Sequence, residues 1–133
     1  MTVMFDTNIL ISAGLFAGSR LSDQAIRIAE EYQIVLSSRI IDELWAVTEL
    51  KFPDKKSVVD TFLKRLSFEI AYTPTEIDMD IFPKIRDEKD YPILASAIIA
   101  DVDTFITGDK DFAGLDLERP EILTITAFQQ KYM

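Results

Sequence analysis

Short apolar segments alternate along this chain with longer segments that have the apolar spacing of helices, and this alternation limits the possible folds more than any other feature. We predict strands at residues 2–5, 34–36, 68–72, 104–107 and 122–125. We predict helices at residues 22–32, 38–50, 53–66, 77–85 and 90–100, and a short helix after residue 125. Ser22-Asp23 and Ser38 are the predicted caps of the first two helices. The second helix should direct Ile41, Leu44, Trp45 and Leu50 inward. Strands joined by helical segments of about ten residues or more form parallel sheets. The predicted fold class is therefore α/β, with a parallel sheet covered on both faces.

The length of 133 residues is ordinary for one hydrophobic core, and we predict a single domain over residues 1–133. The sequence has no linker, internal repeat or low-complexity segment. The apolar run at residues 9–16 is interrupted by Ser12 and Gly14, and it is too short to span a bilayer. We therefore expect a cytoplasmic protein that is not associated with a membrane.

The chain contains neither histidine nor cysteine. This composition excludes a Ser-His-Asp triad, a cysteine nucleophile and a histidine general base. It also excludes disulfides and a zinc site built on the usual ligands. Any metal must be held by oxygen ligands, which favours Mg²⁺ or Mn²⁺.

Acidic residues lie where the predicted strands end and where the neighbouring helices begin. Asp6 directly follows the first strand, and Asp109 follows the fourth with Gly108 between them. Glu43 and Asp90 lie near the starts of two helices. Open parallel sheets bind ligands beyond the carboxyl ends of their strands, where these carboxylates would meet and repel one another. A divalent cation would offset that repulsion and could activate water for phosphoryl chemistry.

Each of these acids also has an ordinary structural explanation. Asp6 and Asp109 could be turn residues, Glu43 could be a solvated helix residue, and Asp90 could cap a helix. The Asn8 amide could bind a carboxylate or a metal-bound water, or it could form an Asx turn, and Thr7 could cap the next segment. Only their convergence on one edge favours a metal site.

Three segments resemble PIN-domain proteins, in particular the VapC-like toxin nucleases of toxin–antitoxin pairs. The segments are FDTNILISAGL at residues 5–15, SSRIIDELWAV at 37–47 and DEKDYPILASAIIADVDTFITGDKDF at 87–112. The third segment is the most specific, because an acid before a helix is followed by A-D, an apolar strand and T-G-D-K-D. The three segments and the distances between them extend the resemblance over nearly the whole chain.

The resemblance implies a three-layer α/β/α sandwich with a central parallel sheet of mostly five strands. It also implies the site residues. The implied catalytic acids are Asp6, Glu43, Asp90 and Asp109, of which Asp6, Asp90 and Asp109 would bind the metal, while Asn8, Thr107 and Asp111 would be auxiliary.

The activity implied by the resemblance is that of an endoribonuclease dependent on Mg²⁺ or Mn²⁺. Its implied partners are an RNA substrate and a cognate antitoxin that blocks the site. The chain departs from the family at the third acidic position. Members of the family often carry further acids beside this position, whereas Lys89 and Tyr91 flank Asp90 here. The choice between Asp87 and Asp90 as the closer ligand therefore stays open, although the spacing to the helix favours Asp90.

The formal net charge of −9 opposes binding to RNA, because affinity for phosphates comes largely from lysine and arginine. One explanation is a local basic rim formed by Arg39, Lys51, Lys55, Lys56, Lys64 and Arg65. Another is that the acidic surface serves a basic partner. The alternative function is therefore a PIN-fold protein-interaction or RNA-processing module with weak or no cleavage.

Two further hypotheses concern fold relatives and assembly. A response-regulator-like phosphoacceptor domain is disfavoured, because the strands at residues 34–36 and 68–72 end without an aspartate. A homodimer is predicted from apolar helix positions that could form a self-association face. These positions are Ile40, Ile41, Trp45, Phe62 and Leu66.

Overall fold

The computed structural model describes residues 1–73, 91–112, 115 and 117–133. Within these residues it contains five strands, namely β1 (Thr2–Phe5), β2 (Gln33–Ser37), β3 (Glu69–Ala71), β4 (Thr104–Ile106) and β5 (Glu121–Leu123). The helices are α1 (Thr7–Leu15), α2 (Arg20–Glu31), α3 (Ser38–Lys51), α4 (Lys56–Leu66), α5 (Tyr91–Ile99) and α6 (Ile125–Tyr132). Short 3-10 segments occur at Pro53–Lys55 and Lys110–Phe112.

The strands form one parallel sheet in the order β3-β2-β1-β4-β5, so the predicted α/β fold with a five-stranded parallel sheet is confirmed. From β1 the chain first builds the sheet outward through β2 and β3, and then returns to the other side of β1 to add β4 and β5. The order therefore reverses between β1 and β4. Such a reversal leaves a crevice beyond the carboxyl ends of the two strands.

The central strands are buried on both faces. Val3, Met4 and Phe5 of β1 are all fully buried, although consecutive strand residues point to opposite faces. Phe105 and Ile106 of β4 are also fully buried. Helices therefore cover both sides of the sheet, which makes the carboxyl-end crevice the natural open position for a ligand.

The structure corrects three helix starts. Residues 7–15 form α1, a helix that the apolar run at residues 9–16 did not predict, and its N-cap is Asp6. Ser19 caps α2 instead of Ser22, and Ser37 caps α3 instead of Ser38, in each case by accepting from the backbone N–H three residues later. An N-cap side chain must lie before the first helical residue, which the apolar pattern alone locates only to within a few residues.

The inward face of α3 also differs from the prediction. Ile40, Leu44 and Thr48 are buried at the four-residue spacing of one helix face, whereas Leu50 is 80% exposed. Leu50 lies two residues beyond Thr48, about 200° around the helix. The predicted inward position of Leu50 is therefore wrong.

The predicted self-association face is only partly available. Ile40, Phe62 and Leu66 belong to the hydrophobic core of the chain itself, so they cannot contact a second copy. Ile41 and Trp45 are half-buried against that core.

The helix predicted at residues 77–85 lies outside the described residues. The helix predicted after Asp90 is present as α5. In the described part of the chain, no helix is long and apolar enough to cross a membrane.

Candidate active site

The reversal of strand order places the residues that follow β1 beside those that follow β4. Phe5 pairs with Ile106 in the sheet, and the next backbone N–H, that of Asp6, donates to the Ile106 carbonyl at 2.9 Å. Asp6 and Thr107 therefore leave the sheet side by side. Asp109 follows two residues later, so the strand-end prediction for Asp6 and Asp109 agrees with their placement.

The Asp6 carboxylate is fixed by two short hydrogen bonds. Oδ1 accepts from the Thr7 backbone N–H at 2.7 Å, and Oδ2 accepts from the Thr107 hydroxyl at 2.7 Å. Thr107 Oγ1 in turn accepts from the Asp109 backbone N–H at 3.0 Å. One buried hydroxyl thus holds both the Asp6 side chain and the Asp109 backbone.

Burial and like charges work against ionisation of the acids in this crevice. Asp6 is only 6% exposed, and desolvation raises the pKa of its carboxyl against the lowering effect of its hydrogen bonds, with a further raising contribution from the Asp109 charge. Desolvation also raises the pKa of Glu43, helped by the negative charge of Asp6 and opposed by Arg39. Asp6 and Glu43 therefore lie in one electrostatic environment that disfavours their charged forms, and the negative charge of Asp109 contributes to it at Asp6.

Glu43 reaches this environment from α3, whose first turns lie beside α1. Arg39 is one helical turn before Glu43, and both line an open cleft of about 290 Å³. A second cleft of about 160 Å³ lies on the other side, lined by residues that include Thr107, Asp109 and Lys110. The acids therefore lie along the crevice with open space on two sides.

No contact with the Asp6 carboxylate is described for the remaining predicted site residues. Asn8 lies in the first turn of α1 with its side chain exposed. Asp90 lies outside the described residues, as does Asp87. Asp111 belongs to the 3-10 segment after Asp109. Among the described residues, no group of three or more acidic side chains is arranged closely enough to hold a metal ion.

One site residue escaped the sequence analysis. Thr7, which we expected only to cap the next segment, is the first residue of α1 and is 1% exposed. Its Oγ1 atom is buried and forms no hydrogen bond of acceptable geometry with any described residue. Its position directly after a strand-end acid was the only available signal, and that signal says nothing about hydrogen bonding.

A larger cavity, of about 880 Å³, lies at the opposite end of β4 and β5. Its lining includes Asp103, Arg119 and Glu121, which are already paired with one another or with neighbouring groups. We therefore assign the candidate site by its coupled carboxylates and not by cavity size.

The model of the PIN domain matches residues 2–111. The chain belongs to the PIN domain family. The matched range contains all four predicted catalytic acids, and it starts at β1 and ends just after Asp109.

Structural comparison gives the same fold for this PIN domain. It superimposes with a TM-score of 0.65 on a chain of VapBC2 from Rickettsia felis, solved bound to a DNA fragment from the promoter. The match covers 92% of this chain and 97% of that chain at 23% sequence identity, which supports the fold. The search of curated proteins gives no match.

The residues of this PIN domain fit a hard divalent cation. The available donors are carboxylate and hydroxyl oxygens, which Mg²⁺ and Mn²⁺ prefer. Desolvation and mutual repulsion raise the pKa values of Asp6 and Glu43, and a nearby cation would offset both effects. Among the described residues the buried Thr7 hydroxyl beside these acids has no hydrogen-bond partner, which is a further sign that the crevice binds a ligand.

Proposed function

We propose that this PIN domain is an endoribonuclease that requires Mg²⁺ or Mn²⁺ and acts as the toxin of a toxin–antitoxin pair. The observation that carries the proposal is the linked arrangement of Asp6, Thr107 and Asp109 at the β1–β4 crevice, with Glu43 coupled to it. Family membership supports a nuclease, and the absence of histidine and cysteine leaves carboxylates as the reactive groups.

In this proposal Asp6, Asp109 and Asp90 would hold the cation. When bound, the cation would stabilise negative charge on a phosphate oxygen and make water a better nucleophile. Thr107 keeps the Asp6 carboxylate in one orientation, so little reorganisation is needed when substrate enters. Glu43 has a raised pKa and an accessible side chain, which suits it to take a proton from the attacking water.

Because the chain has a net charge of −9, RNA binding depends on where its lysine and arginine side chains lie. Of the predicted basic rim, Lys56 is paired with Glu49, and Lys64 with Asp60. Arg39 lies beside Glu43 at the edge of the crevice, so we propose it as the rim cation that contacts an RNA phosphate.

An antitoxin partner is part of the same proposal. The solved neighbour is a VapBC2 assembly bound to promoter DNA, which supports a partner protein for this chain as well. A homodimer also remains a proposal, since three of its predicted contact residues lie in the core. Light scattering at micromolar protein would give the mass and decide between monomer and dimer.

The decisive experiment is cleavage of a labelled single-stranded RNA by the purified chain, with Mn²⁺ and with EDTA. We expect cleavage with Mn²⁺, none with EDTA, and none by Asp109→Asn. Asp54→Asn is the matched control, because Asp54 is an exposed aspartate in the 3-10 segment before α4. Intact RNA under all conditions would overturn the nuclease proposal and favour the interaction module suggested by the negative charge.

A further inference from the structure

The hydroxyl of Thr7 is buried without a partner among the described residues. Other helix threonines avoid this situation locally. Thr48 and Thr61 each donate to the carbonyl four residues earlier in their own helices, at 2.7 Å and 2.9 Å. Thr7 cannot do so, because the residue four positions before it, Val3, lies in β1 and not in the helix. The helix start therefore leaves this hydroxyl dependent on a partner from elsewhere.

The Glu43 carboxylate is the acceptor across the crevice that interacts with this hydroxyl. The helices α1 and α3 pack against each other, and Glu43 of α3 interacts with Asp6 and Thr7 at the start of α1. The Thr7 hydroxyl lies close enough to lower the pKa of Glu43, yet it does not complete a hydrogen bond of acceptable geometry. The Thr7 hydroxyl and the Glu43 carboxylate thus lie near each other without a completed hydrogen bond.

The negative charge of Asp6 opposes a closer approach of Glu43 to Thr7. Asp6 accepts from the Thr7 backbone, so its carboxylate lies next to the residue that Glu43 would have to approach. Glu43 and Asp6 repel each other, whereas the exposed Glu43 side chain has the freedom to adjust. A positive charge in the crevice would remove this obstacle.

We propose that Thr7 is a positioning residue that donates its hydroxyl hydrogen to Glu43 once a divalent cation offsets the repulsion between Glu43 and Asp6. This inference rests on the proposed function, because it needs a cation in the crevice. It predicts that the Thr7 hydroxyl does not stabilise the folded chain in EDTA and that it strengthens the binding of Mn²⁺. A threonine that served only the fold would show neither pattern.

The test compares Thr7→Val, which keeps the side-chain shape without the hydroxyl, with Thr7→Ser, which keeps the hydroxyl. Mn²⁺ affinity is measured by calorimetry, and Tm is measured in EDTA. We expect Thr7→Val to bind Mn²⁺ about tenfold more weakly, because a hydrogen bond to a carboxylate that forms only in the metal-loaded chain adds its free energy to metal binding. Its Tm in EDTA should equal or exceed that of the natural chain, and Thr7→Ser should restore the affinity. Thr61→Val, which removes an exposed hydroxyl of α4, should leave the affinity unchanged.

A double-mutant cycle with Glu43→Gln tests the partner itself. If Thr7 acts through Glu43, removing its hydroxyl should weaken Mn²⁺ binding much less once Glu43 has lost its charge. Additive effects would overturn the proposed pairing. So would a Thr7→Val affinity within twofold of the natural chain, or a clear fall in Tm in EDTA. If the natural chain itself binds no Mn²⁺, the proposed metal-dependent function fails, and this inference fails with it.

Discussion

The two ends of the parallel sheet place aspartate side chains in opposite electrostatic surroundings. At the carboxyl end, Asp6 is buried, its hydrogen-bond donors are the neutral groups of Thr7 and Thr107, and other carboxylates lie nearby. At the amino end, Asp103 accepts from the Thr2 backbone at 2.7 Å and pairs with Arg119 at 2.8 Å. Arg119 also pairs with Asp101 at 3.0 Å.

The consequence is a difference in the direction of the pKa shift. Desolvation raises the pKa of Asp6, whereas the backbone N–H of Thr2, with help from Arg119, lowers the pKa of Asp103. The amino end is therefore balanced by groups of the chain itself. The carboxyl end instead brings like charges together beside the buried Asp6, which is typical of a binding site and not of a structural contact.

Replacing Asp6 should give the largest effect on activity. In Asp6→Asn the side chain keeps its size, but the carboxylate held by Thr107 is lost, and with it the proposed central metal ligand. We expect RNA cleavage in Mn²⁺ to fall by roughly a thousandfold or more, corresponding to about 4 kcal/mol of lost transition-state stabilisation. Initial rates on a labelled RNA measure this loss.

Asp103→Asn is the matched control, since it makes the same chemical change at the other end of β1 and β4. Its cleavage rate should stay within about twofold of the natural chain when both are assayed well below their melting temperatures. Equal losses in the two variants would mean that the two ends do not differ in function.

Much of this comparison could be predicted from the sequence, but not all of it. Short apolar strands marked the sheet, because each central strand is buried on both faces, and strand ends then marked Asp6 and Asp109. The helix α1 was missed because Ile9, Leu10 and Ile11 give it apolar residues in succession and no clear stripe.

The contacts within the site needed three-dimensional information. The bond from Thr107 to Asp6 depends on the register that pairs Phe5 with Ile106, and these residues are 101 positions apart in sequence. The position of Glu43 relative to the Thr7 hydroxyl depends on how α3 lies beside α1. Sequence spacing records neither the register nor the packing of helices.

Stability should show the reverse ranking of the two aspartates. Asp103→Asn weakens charge-assisted bonds to Thr2 and Arg119, and we expect it to lower the free energy of unfolding by about 1 kcal/mol. The partial exposure of this pair limits the loss. Thermal unfolding in EDTA should show a Tm about 4 °C lower. Asp6→Asn should not lower Tm in EDTA, and a larger fall than in Asp103→Asn would contradict the comparison.

Arg39 at the carboxyl end should matter for RNA binding, and Arg119 at the amino end should matter for stability. Arg39→Gln should raise KM for RNA several-fold with little change in kcat, and it should reduce the slope of log affinity against log salt by about 0.7. Arg119→Gln should leave both quantities unchanged and lower Tm, because Arg119 joins Asp101 and Asp103. Salt titrations of RNA binding measure the slopes. An unchanged KM in Arg39→Gln would remove Arg39 from the substrate path.

The smallest effect, and the most direct test of the opposite pKa shifts, is the pH dependence of stability without metal. Folding raises the pKa of Asp6, so the folded chain binds more protons than the unfolded chain, and this carboxyl makes the free energy of unfolding fall as pH rises above about 4. Asp103 has a lowered pKa, so its contribution is present above about pH 4 and is lost as pH falls through the folded-state pKa.

Tm measured in EDTA from pH 3 to pH 8 should separate the two contributions by sign. The Tm of Asp6→Asn minus that of the natural chain should increase as pH rises above about 4, because the variant lacks the destabilising charge. The corresponding difference for Asp103→Asn should become more negative as pH rises toward 4 and then level off. Differences of the same sign and slope in both variants would show that folding shifts the two carboxyls alike, which the burial of Asp6 and the ion pair of Asp103 argue against.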